Sequence, residues 1–300
     1  MTKKFLWGVI VLLLITNLAT IVIWMKEKEE VITGENTPQL KRNDTVASIG
    51  NTDISYEKWL TTLEDTYGKK VLKDMVDREV VLQLAKKNGI EINEKLIERE
   101  ISLLYTMEGP LTKQEAKAKE EAWRSDVRYR YYLEALLTMD IAVSEEEIRE
   151  YFETYEDQFQ FEASYQFSQI VVNDMETASK IMRELDDGAS FSVLAREYSI
   201  DQKTKDDGGY LGFFTNGTNF LEDIYFEEAD EMENNSYSKP IQTGDGVVVF
   251  YLHRKVPSVR FTYDELKGEI RREVALERLN QVANANSLWD KLDVEWIYGK

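Results

Sequence analysis

The chain has 300 residues, with 37 basic and 56 acidic side chains and a formal net charge of −19. It contains one histidine and no cysteine, so disulfides, thiolate nucleophiles and cysteine-rich zinc sites are excluded. A surface of this charge repels phosphate backbones, and no local basic stripe offsets it, so we expect no nucleic-acid partner.

The first predicted element is a membrane segment. Residues 5–24 contain no charged side chain, and about 20 helical residues match a hydrocarbon core of about 30 Å. Trp7 and Trp24 lie near its ends, and Lys3 and Lys4 precede it, which favours a cytoplasmic N-terminus. A cleaved signal peptide is the alternative, although its apolar region is usually shorter. We predict a single-pass anchor in the cell membrane at residues 1–25, with the rest of the chain extracytoplasmic.

Polar sequence and a short hairpin follow the membrane segment. Residues 26–44 lack hydrophobic periodicity and contain a proline, which indicates a tether. Residues 46–49 and 52–54 flank a Gly-Asn pair that is typical of a hairpin turn. Helical periodicity then runs from Leu72 to Gly89, a residue type that suits a helix C-terminus.

Capping-box pairs predict three further helices, which we expect to end near residues 139, 157 and 288. In chain order, the pairs are Thr112 with Glu115, Ser144 with Glu147 and Thr262 with Glu265.

Between the second and third of these helices, the periodicity becomes that of β-strands. We predict strands at 165–172, 247–252 and, after the last helix, 294–298, short helices at 177–186 and 191–198, and a glycine-punctuated loop at 208–217. Because helical segments flank the β-type region on both sides, the predicted fold class is α+β. A domain with a small mixed sheet at 161–257 is inserted into a helical domain formed by 45–160 and 258–300.

Several chemistries are absent from the sequence. It contains no dinucleotide-binding glycine fingerprint, no P-loop and no G-x-S-x-G motif. His253 is the only imidazole, and its basic neighbours favour a solvated residue at a strand end over a catalytic base. The acidic run at 222–233 lacks EF-hand spacing, so we interpret it as a solvated face and predict neither metal nor cofactor.

The segment at 163–255 carries three ordered motifs. The first is Ser168-Gln169-Ile170-Val171-Val172, which is similar to the pattern S-H-I-L-V. The second is at residues 191–201, which match F-x-x-L-A-x-x-Y-S-x-D, and the third is at residues 208–214, which match G-G-x-L-G-x-F. In this order and spacing, the segment resembles the parvulin (PpiC) family of peptidyl-prolyl isomerases. With its membrane segment and helical flanks, the whole chain resembles foldases of the PrsA/SurA type. Some of these foldases are anchored through a lipid on a cysteine. That type of anchor is excluded here because the chain has no cysteine.

Prolyl isomerisation is compatible with the absence of metal, nucleophile and cofactor. The X-Pro bond has a rotation barrier of about 18–20 kcal/mol. Lowering the barrier requires an apolar cup for the ring, exclusion of water and a polar partner for the twisted amide. The resemblance implies catalytic roles for Asp201, at the family's central Cys/Asp position, and for Gln169, at its first histidine position.

The resemblance also implies a substrate-binding surface, formed by Leu211, Phe214, Leu221, Thr243 and Val248. Leu211 and Phe214 have an alternative role as core residues, and Asp201 as the cap of a local turn. Val248 stands at the family's second histidine position, and unlike Gln169 it cannot form side-chain hydrogen bonds. The stretch Asn173-Asp174-Met175-Glu176 contains no basic side chain, which argues against phosphorylated substrates.

Two functions from different classes follow. The first is a membrane-anchored isomerase that assists the folding of unfolded or partly folded exported polypeptides. The second is a non-catalytic chaperone, or holdase, that uses the parvulin-like domain as a peptide clamp. A structural interaction domain is a third reading, and a homodimer is left open. Residues 163–255 carry 17 acidic and 8 basic side chains, which favours basic or neutral clients.

Overall fold

The computed structural model describes residues 40–216, 220–279 and 283–299. The predicted membrane segment and most of the predicted tether lie outside these residues. Within the described ranges, no helix has the length and apolar composition needed to span a bilayer. The chain divides into two units, of which the first holds described residues 40–77 and 295–299 and the second residues 78–294.

The first unit consists of the predicted hairpin followed by helix. Strands β1 (Thr45–Ile49) and β2 (Thr52–Ser55) pair antiparallel. Helix α1 (Tyr56–Leu63) begins where the Ser55 side chain accepts from the Lys58 backbone N–H. A π-helical segment (Glu64–Gly68) leads into α2 (Lys69–Lys87), whose C-terminal part belongs to the second unit.

Three helices of the second unit begin where the capping boxes predict, and a fourth, at 94–106, was not predicted. They are α3 (Glu94–Thr106), α4 (Lys113–Thr138), α5 (Glu145–Phe159) and, after the β region, α9 (Tyr263–Glu277). All three predicted capping boxes are present with reciprocal hydrogen bonds, so two backbone N–H groups are satisfied at each helix start. Residues from both flanks of the β region, including Ile101, Ile148 and Ile270, share one hydrophobic core.

A five-stranded sheet lies between these helical flanks in the chain. Its strands are β3 (Ser164–Val172), β4 (Tyr210–Thr215), β5 (Ser236–Tyr237), β6 (Ile241–Thr243) and β7 (Gly246–Val256). The order is β4-β3-β7-β5, and β6 also pairs with β7. Helix α8 (Asp223–Asp230) packs on one face, and helices α6 (Met175–Asp186) and α7 (Phe191–Tyr198) pack on the other. Both faces are therefore covered.

Four local predictions were wrong. All pairings between the described strands of this sheet are antiparallel, so the sheet is not mixed. The predicted glycine loop contains β4, because the chain stays paired with β3 on both sides of a register shift beside Gly212, whose φ is positive. Helix α9 ends at Glu277, and a separate 3₁₀ segment covers Ala285–Lys291. Residues 294–298 form no strand, and the backbone turns there instead.

A buried ionic cluster lies where α4 and α9 approach each other. The Arg272 Nε lies 3.2 Å from Glu134 Oε2, and Arg272 also pairs with Glu269. Burial raises the pKa of Glu269 to about 7, Arg272 opposes this, and the Glu273 and Glu134 carboxylates add to it. Within the described residues, Glu269 Oε2 has no hydrogen-bond partner. Glu269 therefore binds a proton more tightly in the folded chain than in the unfolded chain.

This linkage predicts that Glu269 destabilises the fold as the pH rises. In the unfolded chain the pKa of a glutamate is about 4.3. The stability that protonated Glu269 contributes is therefore fully present below about pH 4 and is lost as the pH rises through about 7. The free energy of unfolding is measured by urea denaturation at pH 5 and at pH 8. Between these pH values, we expect it to fall by about 1–3 kcal/mol less in Glu269→Gln than in the wild type. The exposed Glu277→Gln is the control, and an identical pH dependence in all three proteins would contradict the assignment.

Candidate functional site

Strand β3 places one polar side chain on an otherwise buried face of the sheet. Every residue of this nine-residue strand is buried except Gln169, which is half-buried. Because side chains alternate along a strand, Gln169 shares its face with Phe167 and Val171, on the side covered by α8. The strand thus provides a rigid base for a carboxamide that faces a cavity.

The turn after α7 brings Asp201 to this carboxamide. The Ser199 hydroxyl accepts from the backbone N–H groups of Val171 and Asp201, which ties the turn to β3. Asp201 in turn accepts from the Lys203 backbone N–H at 3.0 Å and from the Thr204 hydroxyl at 2.6 Å. The alternative role of Asp201, as the cap of a local turn, is therefore realised together with its place in the site.

A chain of three side chains crosses the site. The Tyr225 hydroxyl donates to Gln169 Oε1 at 2.5 Å, and Gln169 Nε2 donates to Asp201 Oδ2 at 2.9 Å. Tyr225 lies on α8, where its ring stacks on Phe250 at 5.1 Å between centroids and meets Phe167 edge-on. The ionised carboxylate only accepts hydrogen bonds, so the amide nitrogen must face Asp201 and its oxygen must face Tyr225.

The charge on Asp201 is stabilised at this position. Partial burial alone would raise the pKa of Asp201, but hydrogen bonds from Thr204, Gln169 and the Lys203 backbone outweigh it and lower the pKa. Burial raises the pKa of Tyr225, and the carboxylates of Glu222, Asp245 and Asp201 raise it further. At neutral pH the site therefore holds an ionised Asp201 and a protonated Tyr225.

These groups line a cavity of about 570 Å³. Its apolar wall contains Leu211, Phe214 and Leu221, and Thr243 lies on its rim with its hydroxyl donating to the Gly246 carbonyl. Leu211, Phe214 and Leu221 also pack against the core of the same sheet face, so the alternative position of Leu211 and Phe214 in the core is compatible with their lining the cavity. The cavity thus places an apolar wall beside the ionised carboxylate of Asp201.

Gly209 holds β4 close to this site. Its φ is +80°, and a Cβ atom here would lie 2.1 Å from the Gln169 carbonyl oxygen, so only glycine fits. The Gln169 backbone N–H donates to the Gly209 carbonyl at 2.8 Å. The second glycine of the third motif is therefore required by the close approach of two backbones next to Gln169.

Two of the sequence-based interpretations need correction. Val248 does not line the cavity, because β7 directs its side chain into the core, where 1% is exposed. His253 is not a solvated strand-end residue, since it lies within β7 and its ring Nε2 is 2.8 Å from the Ser168 hydroxyl. Burial lowers the pKa of His253 to about 4, so the ring is neutral at physiological pH.

The sequence prediction missed two members of the site. Tyr225 and Thr204 both touch the Gln169–Asp201 pair, yet neither belongs to a motif. Tyr225 lies 56 positions after Gln169 on a different element, and no local pattern signals that contact. In the part of the chain that the structure describes, no three His, Asp or Glu side chains are grouped so that they could hold a metal ion.

Comparisons with known proteins agree with this geometry. A family model described as a PPIC-type PPIase domain matches residues 143–268. YacD of Bacillus subtilis (strain 168), whose name proposes a peptidyl-prolyl cis-trans isomerase, is 36% identical over 258 residues, covering 86% of each protein. The foldase protein PrsA of Geobacillus kaustophilus (strain HTA426) is 30% identical, covering 83% of this chain and 84% of that protein.

Among solved structures, PrsA from Bacillus cereus is 21% identical and covers 86% of this chain and 95% of that chain. The TM-score of this match is 0.33. The sequence relatives carry the assignment, because the similarity extends over most of both chains. The family model spans the three motifs between 168 and 214. The chain therefore belongs to the PpiC, or parvulin, family of peptidyl-prolyl cis-trans isomerases.

Proposed function

We propose that the chain is a membrane-anchored extracytoplasmic foldase that isomerises X-Pro bonds in exported polypeptides. The observation that carries the proposal is the cavity in which an apolar wall faces the hydrogen-bonded carboxylate of Asp201. Residues 161–257 would form the catalytic domain, and the helical flanks would hold the client. Residues 1–25 would provide the anchor.

The proposed mechanism depends on where charge lies in the planar amide. Resonance places partial negative charge on the carbonyl oxygen and double-bond character in the C–N bond, and both diminish as the bond twists. An ionised Asp201 near that oxygen would destabilise the planar form more than the twisted form, which lowers the barrier. Leu211, Phe214 and Leu221 would contact the proline ring and exclude water from it.

Within this proposal, Tyr225 is a positioning residue. It donates to Gln169 Oε1 and so holds the amide in the orientation in which the nitrogen faces Asp201. The family's two histidine positions hold Gln169 and the buried Val248, so the second family position has no polar group to orient Gln169. Tyr225 approaches from α8 and supplies that polar contact.

The holdase remains the second candidate function. It is favoured by Val248, which stands at the family's second histidine position. This side chain packs in the hydrophobic core and offers no polar group for catalysis. A holdase would bind client polypeptides and suppress their aggregation without changing the rate of X-Pro rotation. The two functions therefore differ in one measurable quantity, the rate of proline-limited refolding.

One prediction of the isomerase function concerns Asp201. Replacement by Asn preserves size and removes the charge, so we expect the catalytic efficiency in proline-limited refolding to fall about 10- to 100-fold. The control is Asp206→Asn, since Asp206 is exposed and lies outside the cavity lining. An unchanged rate for Asp201→Asn would refute the proposed role of the charge. No acceleration by the wild type at any attainable concentration would refute the isomerase itself.

Another prediction concerns Tyr225→Phe, which retains the ring packing and removes the hydroxyl. One lost hydrogen bond of about 1 kcal/mol corresponds to a fall of about 5-fold in catalytic efficiency. Tyr237→Phe is the matched control, because it removes a tyrosine hydrogen bond to Asp186 on the opposite side of the sheet.

The pH profile separates positioning from general stability. Without Tyr225 to orient the amide, Gln169 donates less firmly to Asp201, so the pKa of Asp201 rises and the acid limb of the activity profile moves to higher pH. The other ionisable groups lining the cavity, Lys203, Glu222 and Asp245, are the same in both proteins. A lower rate with an unmoved acid limb would contradict the positioning role.

A further inference from the structure

The first unit has almost no core of its own. Among its described residues, Tyr56 is the only hydrophobic side chain that is fully buried. Large hydrophobic side chains are instead exposed at every fourth position, and their exposed fractions range from 37% at Leu63 to 61% at Met75. We call this set the apolar row, and its members are Trp59, Leu63, Tyr67, Val71 and Met75.

The π-helical segment keeps the apolar row on one side. In an α-helix, each step of four residues rotates a side chain by about 40°, so a row of five would wind over about 160°. A π-helical turn accommodates one additional residue, which turns the following side chains back by about 100°. Glu64–Gly68 is such a segment, and it lies in the middle of the row. The local backbone thus preserves a continuous exposed apolar face.

We propose that the apolar row lies on the surface of the lipid bilayer to which the chain is anchored. The inference rests on the proposed function, because it takes residues 5–24 as the anchor. About 15 residues separate that segment from Leu40, and even fully extended they span no more than about 55 Å. The first unit is therefore held next to the bilayer, where a weak affinity is sufficient.

The charge distribution also favours a bilayer surface. Residues 40–77 carry 6 basic and 7 acidic side chains, whereas residues 78–294 carry 26 basic and 44 acidic ones. An anionic leaflet therefore repels residues 78–294, whereas its electrostatic interaction with residues 40–77 is weak. Trp59 and Tyr67 are of the types that favour the headgroup region, and Lys58 and Lys70 stand beside the row with flexible stems. This composition is typical of a helix lying in the interface.

The test uses the full chain, which has no natural cysteine. Met75→Cys and Asp65→Cys are each labelled with the same environment-sensitive fluorophore and reconstituted into phosphatidylcholine–phosphatidylglycerol vesicles that contain a spin-labelled lipid. Asp65 is the matched control, because it is exposed and lies two residues from both Leu63 and Tyr67, on the opposite side of the helix.

We expect lipid quenching of the probe at position 75 to exceed that at position 65 several-fold, and Val71→Glu to abolish the difference. Equal or absent quenching at both positions, in chains that float with the vesicles, would overturn the docking and leave the anchor intact. A position-75 signal that follows protein concentration without lipid quenching would indicate a second copy and would also overturn it. Failure to float would overturn the anchor and the docking together, whereas isomerase activity is measured separately.

Discussion

The Gln169 carboxamide has one donating end and one accepting end, and the site depends on this asymmetry. Asp201 can only accept hydrogen bonds, so it takes the nitrogen, and the oxygen is left for the Tyr225 hydroxyl. Three elements that are distant in the chain, β3, the turn after α7 and helix α8, are thereby fixed relative to one another. The cavity of about 570 Å³ lies beside these three side chains, which line its polar side.

The same contacts connect the candidate site at the two positions where the resemblance implies histidines. Gln169 retains a polar group at the first histidine position, whereas Val248 adds its side chain to the core. The polar group that is missing from β7 is supplied by Tyr225, which stacks on Phe250 of that strand. His253, the only imidazole, lies away from the cavity lining and is neutral because it is buried. A single histidine in the composition therefore does not exclude this family.

Local sequence signals predicted what depends on local structure. Capping boxes predicted the starts of α4, α5 and α9, and ordered motifs predicted the placement of Gln169 and Asp201 beside Leu211 and Phe214. Contacts between distant elements were not predictable in this way. Tyr225 was missed because α8 is short and packs through tertiary contacts. Val248 was wrongly predicted to line the substrate-binding surface. Its position in the family motif does not determine whether an apolar side chain there faces the cavity or packs in the core. The environment of His253 likewise depends on Ser168 across the sheet.

The central claim is that the cavity changes the rate of X-Pro rotation and does not merely bind the peptide. Two-dimensional exchange NMR of a short X-Pro peptide measures that rate directly, because cis and trans forms give separate signals that interconvert over tens of seconds when uncatalysed. The account predicts exchange cross-peaks in the presence of a catalytic amount of wild-type protein, and their loss with Asp201→Asn. Peptide signals that shift on binding while the exchange rate stays at its uncatalysed value would contradict it and would identify a holdase.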